Sequence, residues 1–216
     1  MVTVLSHTNS ILNQYIGELR DSEIQKDSMR FRANLERIGE IFAYHISREL
    51  VYENREVTTP LGIANVPMLA EYPVLATILR AGLPFHKGFL NVFDKSDNGF
   101  ISTFRKHEKD GSFTISVKYA SIPETENKTV ILSDTMVASG SSMTLAYREL
   151  CANGKPKHTY ITAILASIEG LEKIKRSIPH DDISILIGVI DDEMTVQSYI
   201  VPGLGDSGDL AFGKKR

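Results

Sequence analysis

The chain has 216 residues, 42% of them apolar and 24% charged, with a formal net charge of −3. That length supports one substantial core, so residues 1–216 are read as a single elaborated domain. The acidic balance argues against a nucleic-acid backbone as main partner, no low-complexity tract or repeat breaks the chain, and a lone cysteine, Cys151, excludes a disulfide framework.

Met1 to Ser10 has neither the basic start nor the apolar core of a signal peptide, and no uninterrupted apolar run approaches the ~20 residues a membrane span needs. A reduced, cytoplasmic setting without a membrane partner is expected. Phe31, Leu35, Ile38, Phe42 and Ile46 recur at helical spacing. They predict a long amphipathic helix from about Asp27 to Leu50, suited to core packing and subunit contact.

Short apolar or β-branched runs follow at Tyr72 to Leu79, Thr129 to Leu132, Tyr160 to Leu165 and Ile183 to Ile190. Helical segments near Pro84 to Phe93, Met143 to Ala152 and Glu169 to Ser177 separate them. Such alternation predicts an α/β fold with a mostly parallel sheet covered by helices on both faces. Asn153-Gly154 followed by Pro156 ends one helix, and Cys151 falls on that helix's apolar face, where it packs as a small hydrophobe. Between about 99 and 120 the pattern switches to two alternating segments, Phe100 to Phe104 and Phe113 to Tyr119, joined by the polar turn Glu108 to Gly111. This predicts an antiparallel hairpin projecting from the sheet as a lid or dimer clasp.

The first strand ends in Ile78-Leu79-Arg80-Ala81-Gly82-Leu83. Ligands of open α/β sheets bind at the carboxyl ends of strands, and the guanidinium fork of Arg80 suits a diphosphate. Local sequence alone leaves open a surface arginine in a strand-to-helix turn. Arg105, which closes Ile101-Ser102-Thr103-Phe104-Arg105, forms a small basic cluster with Lys106 and His107 and by itself reads as a solvated charge.

The segment Val130 to Ser142 is the most informative. An apolar run ends on the lone acid Asp134, and Thr135-Met136-Val137-Ala138-Ser139-Gly140-Ser141-Ser142 leads from it into helix-forming sequence. Small residues allow close approach of an anion, and the unpaired N–H groups at a helix start attract phosphate. The hydroxyls of Ser139, Ser141 and Ser142 add donors, and Asp134 is placed to accept from ribose hydroxyls. No Lys follows the glycine, so this is not a nucleotide-triphosphate P-loop. A helix-capping acid before an ordinary Gly/Ser turn remains the alternative.

Near the C-terminus, Tyr199-Ile200-Val201-Pro202-Gly203-Leu204-Gly205-Asp206-Ser207-Gly208-Asp209 is too glycine-rich for a helix or central strand, which predicts an irregular loop with accessible backbone. Main-chain donors and acceptors on such a loop can match the edge of a flat pyrimidine. A flexible tail is the other reading, set against the apolar Ile200, Val201, Leu204 and Phe212.

Taken together, these segments resemble the type I phosphoribosyltransferases, and within them the uracil branch. The loop Asp134 to Ser142 is similar to Asp-Pro-Met-Leu-Ala-Thr-Gly-Gly-Ser, and Tyr199 to Leu210 to Tyr-Ile-Val-Pro-Gly-Leu-Gly-Asp-Ala-Gly-Asp-Arg. The likeness extends through Thr59-Pro60-Leu61-Gly62 and Ile168-Glu169-Gly170 to Phe212-Gly213. The chain's departures from the pattern include Thr135 (for proline), Ser139 (for threonine), Ser207 (for alanine) and Leu210 (for arginine).

The resemblance implies that uracil and 5-phosphoribosyl 1-diphosphate (PRPP) give UMP and diphosphate, a pyrimidine-salvage reaction. It implies a PRPP site of Arg80, Ala81, Gly82, Arg105, Asp134 to Ser142 and Asp206, with a strained cis peptide at Arg80-Ala81. Asp134, Arg80, Arg105 and Asp206 are the implied catalytic group, and Ile200, Gly205, Asp206 and Ser207 contact the base. Mg²⁺ is implied as a cofactor bound through PRPP and water rather than by direct protein ligands. A homodimer or higher homo-oligomer, and GTP as effector, follow from the same likeness. The rival readings are a phosphoribosyltransferase for another nucleobase, a catalytically weak PRPP-sensing regulator, or an inactive relative.

Overall fold

A computed structural model describes residues 2–107 and 113–214, with the backbone alone at 105–107, 113–115 and 180. In chain order the elements are β1 (Val2–Val4), α1 (Ile11–Arg20), α2 (Ser28–Ser47), β2 (Tyr52–Thr59), β3 (Gly62–Leu69), β4 (Val74–Leu79), α3 (Gly82–Val92), β5 (Asn98–His107) and β6 (Phe113–Ser121). Then come β7 (Thr129–Val137), α4 (Ser141–Ala152), β8 (His158–Ser167), α5 (Ile168–Ser177), β9 (Ile183–Asp191), β10 (Glu193–Met194), β11 (Ile200–Val201) and α6 (Ser207–Phe212).

Seven strands form one sheet in the order β1-β9-β8-β7-β4-β5-β6. All neighbours are parallel except β6, which runs antiparallel to β5. Successive strand residues point to opposite faces, and the core divides accordingly. Leu75, Ile131, Ile164 and Leu186 pack under α1, α2 and α3, while Val74, Ala76, Val130 and Leu132 pack under α4 and α5. The expected α/β architecture is therefore the observed one.

The long helix begins one residue after Asp27, whose carboxylate accepts from the backbone N–H groups of Met29 and Arg30 and caps it. Its apolar stripe meets α3 through Phe42, Phe85 and Phe89, whose rings pack edge to face with centroids 5.0–6.5 Å apart. The two helices cross so closely that a Cβ on Gly39 would lie 3.0 Å from the Cα of Gly88. On the other side of α2, Arg30 and Asn34 hold the Glu18 carboxylate of α1, with contacts of 2.7–2.9 Å. These bonds to the charged form bring the Glu18 pKa down to about 2.

Three expectations change. The expected hairpin forms, but its base belongs to the sheet: β5 pairs with β4 as far as Ser102, and beyond a bulge at Ser102/Thr103 it continues with β6 alone. The turn Glu108 to Gly111 lies outside the described residues. A second hairpin, β2–β3, pairs all along its length and forms a separate two-stranded sheet. The sequence reading passed over it because its residues alternate poorly in polarity. Finally, β7 runs through Asp134 to Val137 rather than stopping at Leu132, because Asp134, Met136 and Val137 keep pairing with Ala163, Leu165 and Ala166 of β8. Asp134 is thus a strand residue, and the turn is shorter, Ala138 to Gly140.

Among the described residues no helix is long and apolar enough to cross a membrane.

Candidate functional site

The carboxyl ends of β4 and β7 open into a cleft of about 640 Å³. It is roofed by the C-terminal segment and walled by β5 and β6. Arg80, Ala81, Asp134 to Ser142, Ile200, Gly205, Asp206 and Ser207 all line it. Two stretches some sixty residues apart in sequence thus face one space.

The floor is the β7–α4 junction. Gly140 takes φ 71° at the helix N-cap and offers no side-chain cap, so the first N–H groups of α4 are left to the cleft. A side chain at Gly140 would be strained by that φ and would meet the carbonyl oxygen of Gly170 at 2.5 Å. Gly170 lies near the start of α5, whose N-cap Ser167 donates to the Ala138 carbonyl at 2.6 Å. A second helix start therefore braces the turn. Ser139 Oγ donates to Ser141 Oγ at 3.1 Å, and Lys173 of α5 also donates to Ser141 Oγ.

Asp134 is half-buried and aims at the same space, its Oδ1 accepting from the Thr135 N–H at 2.7 Å. Surrounding protein pushes its pKa from 3.8 up to about 7, against the opposing pull of the Thr135 and Met136 backbone N–H groups.

Arg80 follows β4 directly and is tied to the roof. Its Nη2 donates to Asp209 Oδ1 at 2.8 Å and its Nη1 to the Gly213 carbonyl at 3.2 Å. The cis peptide expected at Arg80-Ala81 lies one bond earlier, at Leu79-Arg80, immediately after the last paired residue of β4. Gly82 does not line the cleft: it begins α3 with its Cα against the Thr77 hydroxyl, where no side chain fits, so it shapes the turn from behind. Arg105 pairs with Ile115 in the β5–β6 ladder, and its side chain lies outside the described residues.

The roof is not wholly irregular, contrary to the reading from its glycines. Ile200 and Val201 pair with Met194 and Glu193, and Ser207 to Phe212 form a short helix whose N-cap Asp206 accepts from the Asp209 N–H at 2.9 Å. The cap, the burial of Ala211 and a 2.7 Å bond from Arg32 of α2 to the Ala211 carbonyl outweigh the cost of the single glycine inside it. Further back, Arg20 of α1 grips Asp191 of β9 through two bonds of 2.8 and 2.9 Å, and Asp191 accepts from the Gly203 N–H at 2.9 Å. Ile200 and Leu204 enter the core beside them. The segment is therefore a docked hood, not a flexible tail.

Sequence reasoning missed several wall residues, among them Thr103, Lys118 and Ser198. Thr103 and Lys118 sit in the hairpin, where nothing local distinguishes a cleft-facing polar residue from a solvated one. Asp209, as partner of Arg80, was equally hidden.

A strand-end cradle under a C-terminal hood, on a sheet of this order, is the architecture of the type I phosphoribosyltransferases. A solved structure described as AQ2163 protein from Aquifex aeolicus superposes with a TM-score of 0.87 at 27% identity, covering 99% of this chain and 98% of that one. A hypoxanthine phosphoribosyltransferase from Staphylococcus aureus shares the fold at a TM-score of 0.51 and 13% identity, over 76% of each chain. The chain belongs to the uracil phosphoribosyltransferase family, whose model matches residues 6–214. A uracil phosphoribosyltransferase from Porphyromonas gingivalis is 48% identical over 98% of this chain and 97% of its own, and one from Pyrococcus furiosus is 36% identical over 93% and 85%.

Proposed function

We propose that the cleft transfers the phosphoribosyl group of PRPP to uracil, giving UMP and diphosphate, and that each face of the cleft handles one part of the pair. The observation that carries this reading is the meeting of the Asp134 to Ser142 segment with the Ile200 to Ser207 segment in one cleft. The turn Ala138 to Ser142 and the start of α4 would grip the 5-phosphate. Asp134 would accept from the ribose hydroxyls. Arg80, with the adjoining backbone of Ala81, and Arg105 would stabilise the departing diphosphate.

For this, the Arg80 guanidinium exchanges the Asp209 carboxylate for the diphosphate, one anion for another of higher charge. The hood backbone at Ile200 and Gly205 to Ser207 would read the base edge and hold its nitrogen in line with the breaking anomeric bond, with Asp206 beside it. Catalysis is then chiefly positioning and electrostatics around an oxocarbenium-like transition state.

Among the described residues no three His, Cys, Asp or Glu side chains gather into a metal cage. Two carboxylates, Asp134 and Asp206, do line the cleft amid hydroxyls, which suits a hard cation that keeps its waters and is carried on phosphate oxygens. Mg²⁺ held through PRPP and water beside Asp134 would neutralise charge on the leaving diphosphate.

Orotate fits less well, because its carboxylate calls for a cation near the base. The hood segment Ile200 to Asp209 contains no Lys, Arg or His of its own. Assembly as a homodimer belongs to the same proposal. The β2–β3 arm supports it, with Leu61 fully exposed and Ile63 70% exposed. GTP activation, carried by the resemblance, is read by adding GTP to the assay: a higher kcat supports it and an unchanged one removes it.

The deciding experiment measures nucleotide formation from PRPP, Mg²⁺ and a panel of free bases. Uracil is expected to be converted, with orotate, hypoxanthine and guanine at least ~100-fold slower, since unmatched buried polar groups discriminate strongly. Preference for another base overturns the substrate reading, and silence with all of them overturns the enzymatic one.

A further inference from the structure

Thr135 and Ser207 lie 72 residues apart and their hydroxyl oxygens are 2.7 Å apart, with both residues only 1% exposed. Thr135 follows Asp134, and Ser207 follows Asp206 and opens α6. The pair therefore joins the end of β7, which carries the ribose-holding acid, to the first turn of the hood helix, which presents backbone to the base. These are also two of the positions at which the chain departs from the quoted motifs, where proline and alanine could not form such a bond.

We propose that the Thr135–Ser207 hydroxyl pair is a positioning link that sets the spacing between the ribose-holding acid and the base-reading hood. This rests on the phosphoribosyl-transfer reading of the cleft. Neither hydroxyl touches the reacting atoms; both act through Asp134 and the Asp206-Ser207 backbone.

The physical argument has two parts. A buried hydroxyl left without its partner is costly, so each member holds the other in place. The reaction needs the anomeric carbon and the base nitrogen aligned, and displacement by about 1 Å can cost on the order of 100-fold in rate. The Thr135 hydroxyl also favours the charged form of Asp134.

The test is a double-mutant cycle of Thr135→Val, Ser207→Ala and the pair together, with Thr135→Ser as the conservative variant. KM and kcat are read separately for base and PRPP, beside the melting temperature. Each single change is expected to lower kcat/KM for uracil about 10-fold, and the double to stay near 10-fold instead of reaching about 100-fold. Thr135→Val, though in the PRPP segment, is expected to raise the KM for uracil, and Thr135→Ser to restore most of the activity.

Independent effects that multiply in the double variant overturn the link. So does an activity loss that only follows the melting temperature, or a Thr135→Ser no better than Thr135→Val. Should the parent prefer another base, the substrate assignment fails and the cycle is read with that base, so the link still stands or falls by itself. A parent silent with every base overturns both.

Discussion

At the scale of single residues, Asp134 carries opposed demands. It is a paired residue of β7 with a carboxyl that surrounding protein pushes up to about 7. A folded-state pKa above the unfolded value means that folding takes up a proton. The stability tied to the neutral acid is then complete below about 3.8 and is lost as pH rises through about 7. Asp134→Asn stays neutral throughout, so its melting temperature is expected to exceed the parent's by roughly 5 °C at pH 8 and to converge with it near pH 4. Its kcat should nevertheless fall about 100-fold or more, since the anion proposed to hold the ribose is gone. Calorimetric scans at the two pH values beside one rate measurement decide this, and a variant less stable than the parent at pH 8 rejects it. Gly140→Val is a poor probe of the proposed phosphate turn by comparison, because the φ of 71° at Gly140 and the nearby Gly170 carbonyl would make that change disturb the fold itself.

Among the elements, the α2–α3 crossing depends on absent side chains. A Cβ on Gly88 would lie 2.7 Å from the Cα of Gly39. Gly88→Val would force the helices apart and disturb the Phe42, Phe85 and Phe89 cluster, which outweighs the gain in helix propensity over glycine. Its expected cost is about 3 kcal/mol, or a drop of several degrees in melting temperature, and an unchanged midpoint contradicts the close crossing. Periodicity revealed the longer helix, since Phe31, Leu35, Ile38, Phe42 and Ile46 repeat at the helical interval, and Pro84 to Phe93 reads as a helical segment between strands. It could not reveal the crossing, which is a contact between backbones. The hood failed in the opposite direction. Its glycines argued against a helix, yet Asp206 as cap and Arg32 as distant anchor stabilise one.

For the whole molecule, the parallel sheet brings remote loops to one edge. Because β7 neighbours β4, the Asp134 and Arg80 turns open side by side, and Arg20 with Asp191 then folds the hood over them. The β2–β3 arm stands outside this arrangement with its apolar residues exposed. If it clasps a second copy, light scattering should show a dimer for the parent, and Leu61→Asp with Ile63→Asp should shift the mass to that of a monomer while the fold persists by circular dichroism. A parent that runs as a monomer would instead leave the exposed arm without this role.

The alternation of the central strands with α3, α4 and α5, the small-residue turn at Ala138 to Ser142 and the apolar anchors Ile200 and Leu204 were legible in the chain alone, because periodicity, small residues and turn chemistry are local properties. The bond between Thr135 and Ser207 and the pairing of Arg80 with Asp209 were decided only by the tertiary structure. Each depends on which segments the fold places together, and single-chain patterning carries no record of contacts between groups so far apart in sequence, whereas the β2–β3 hairpin is local and escaped notice only because its residues alternate poorly.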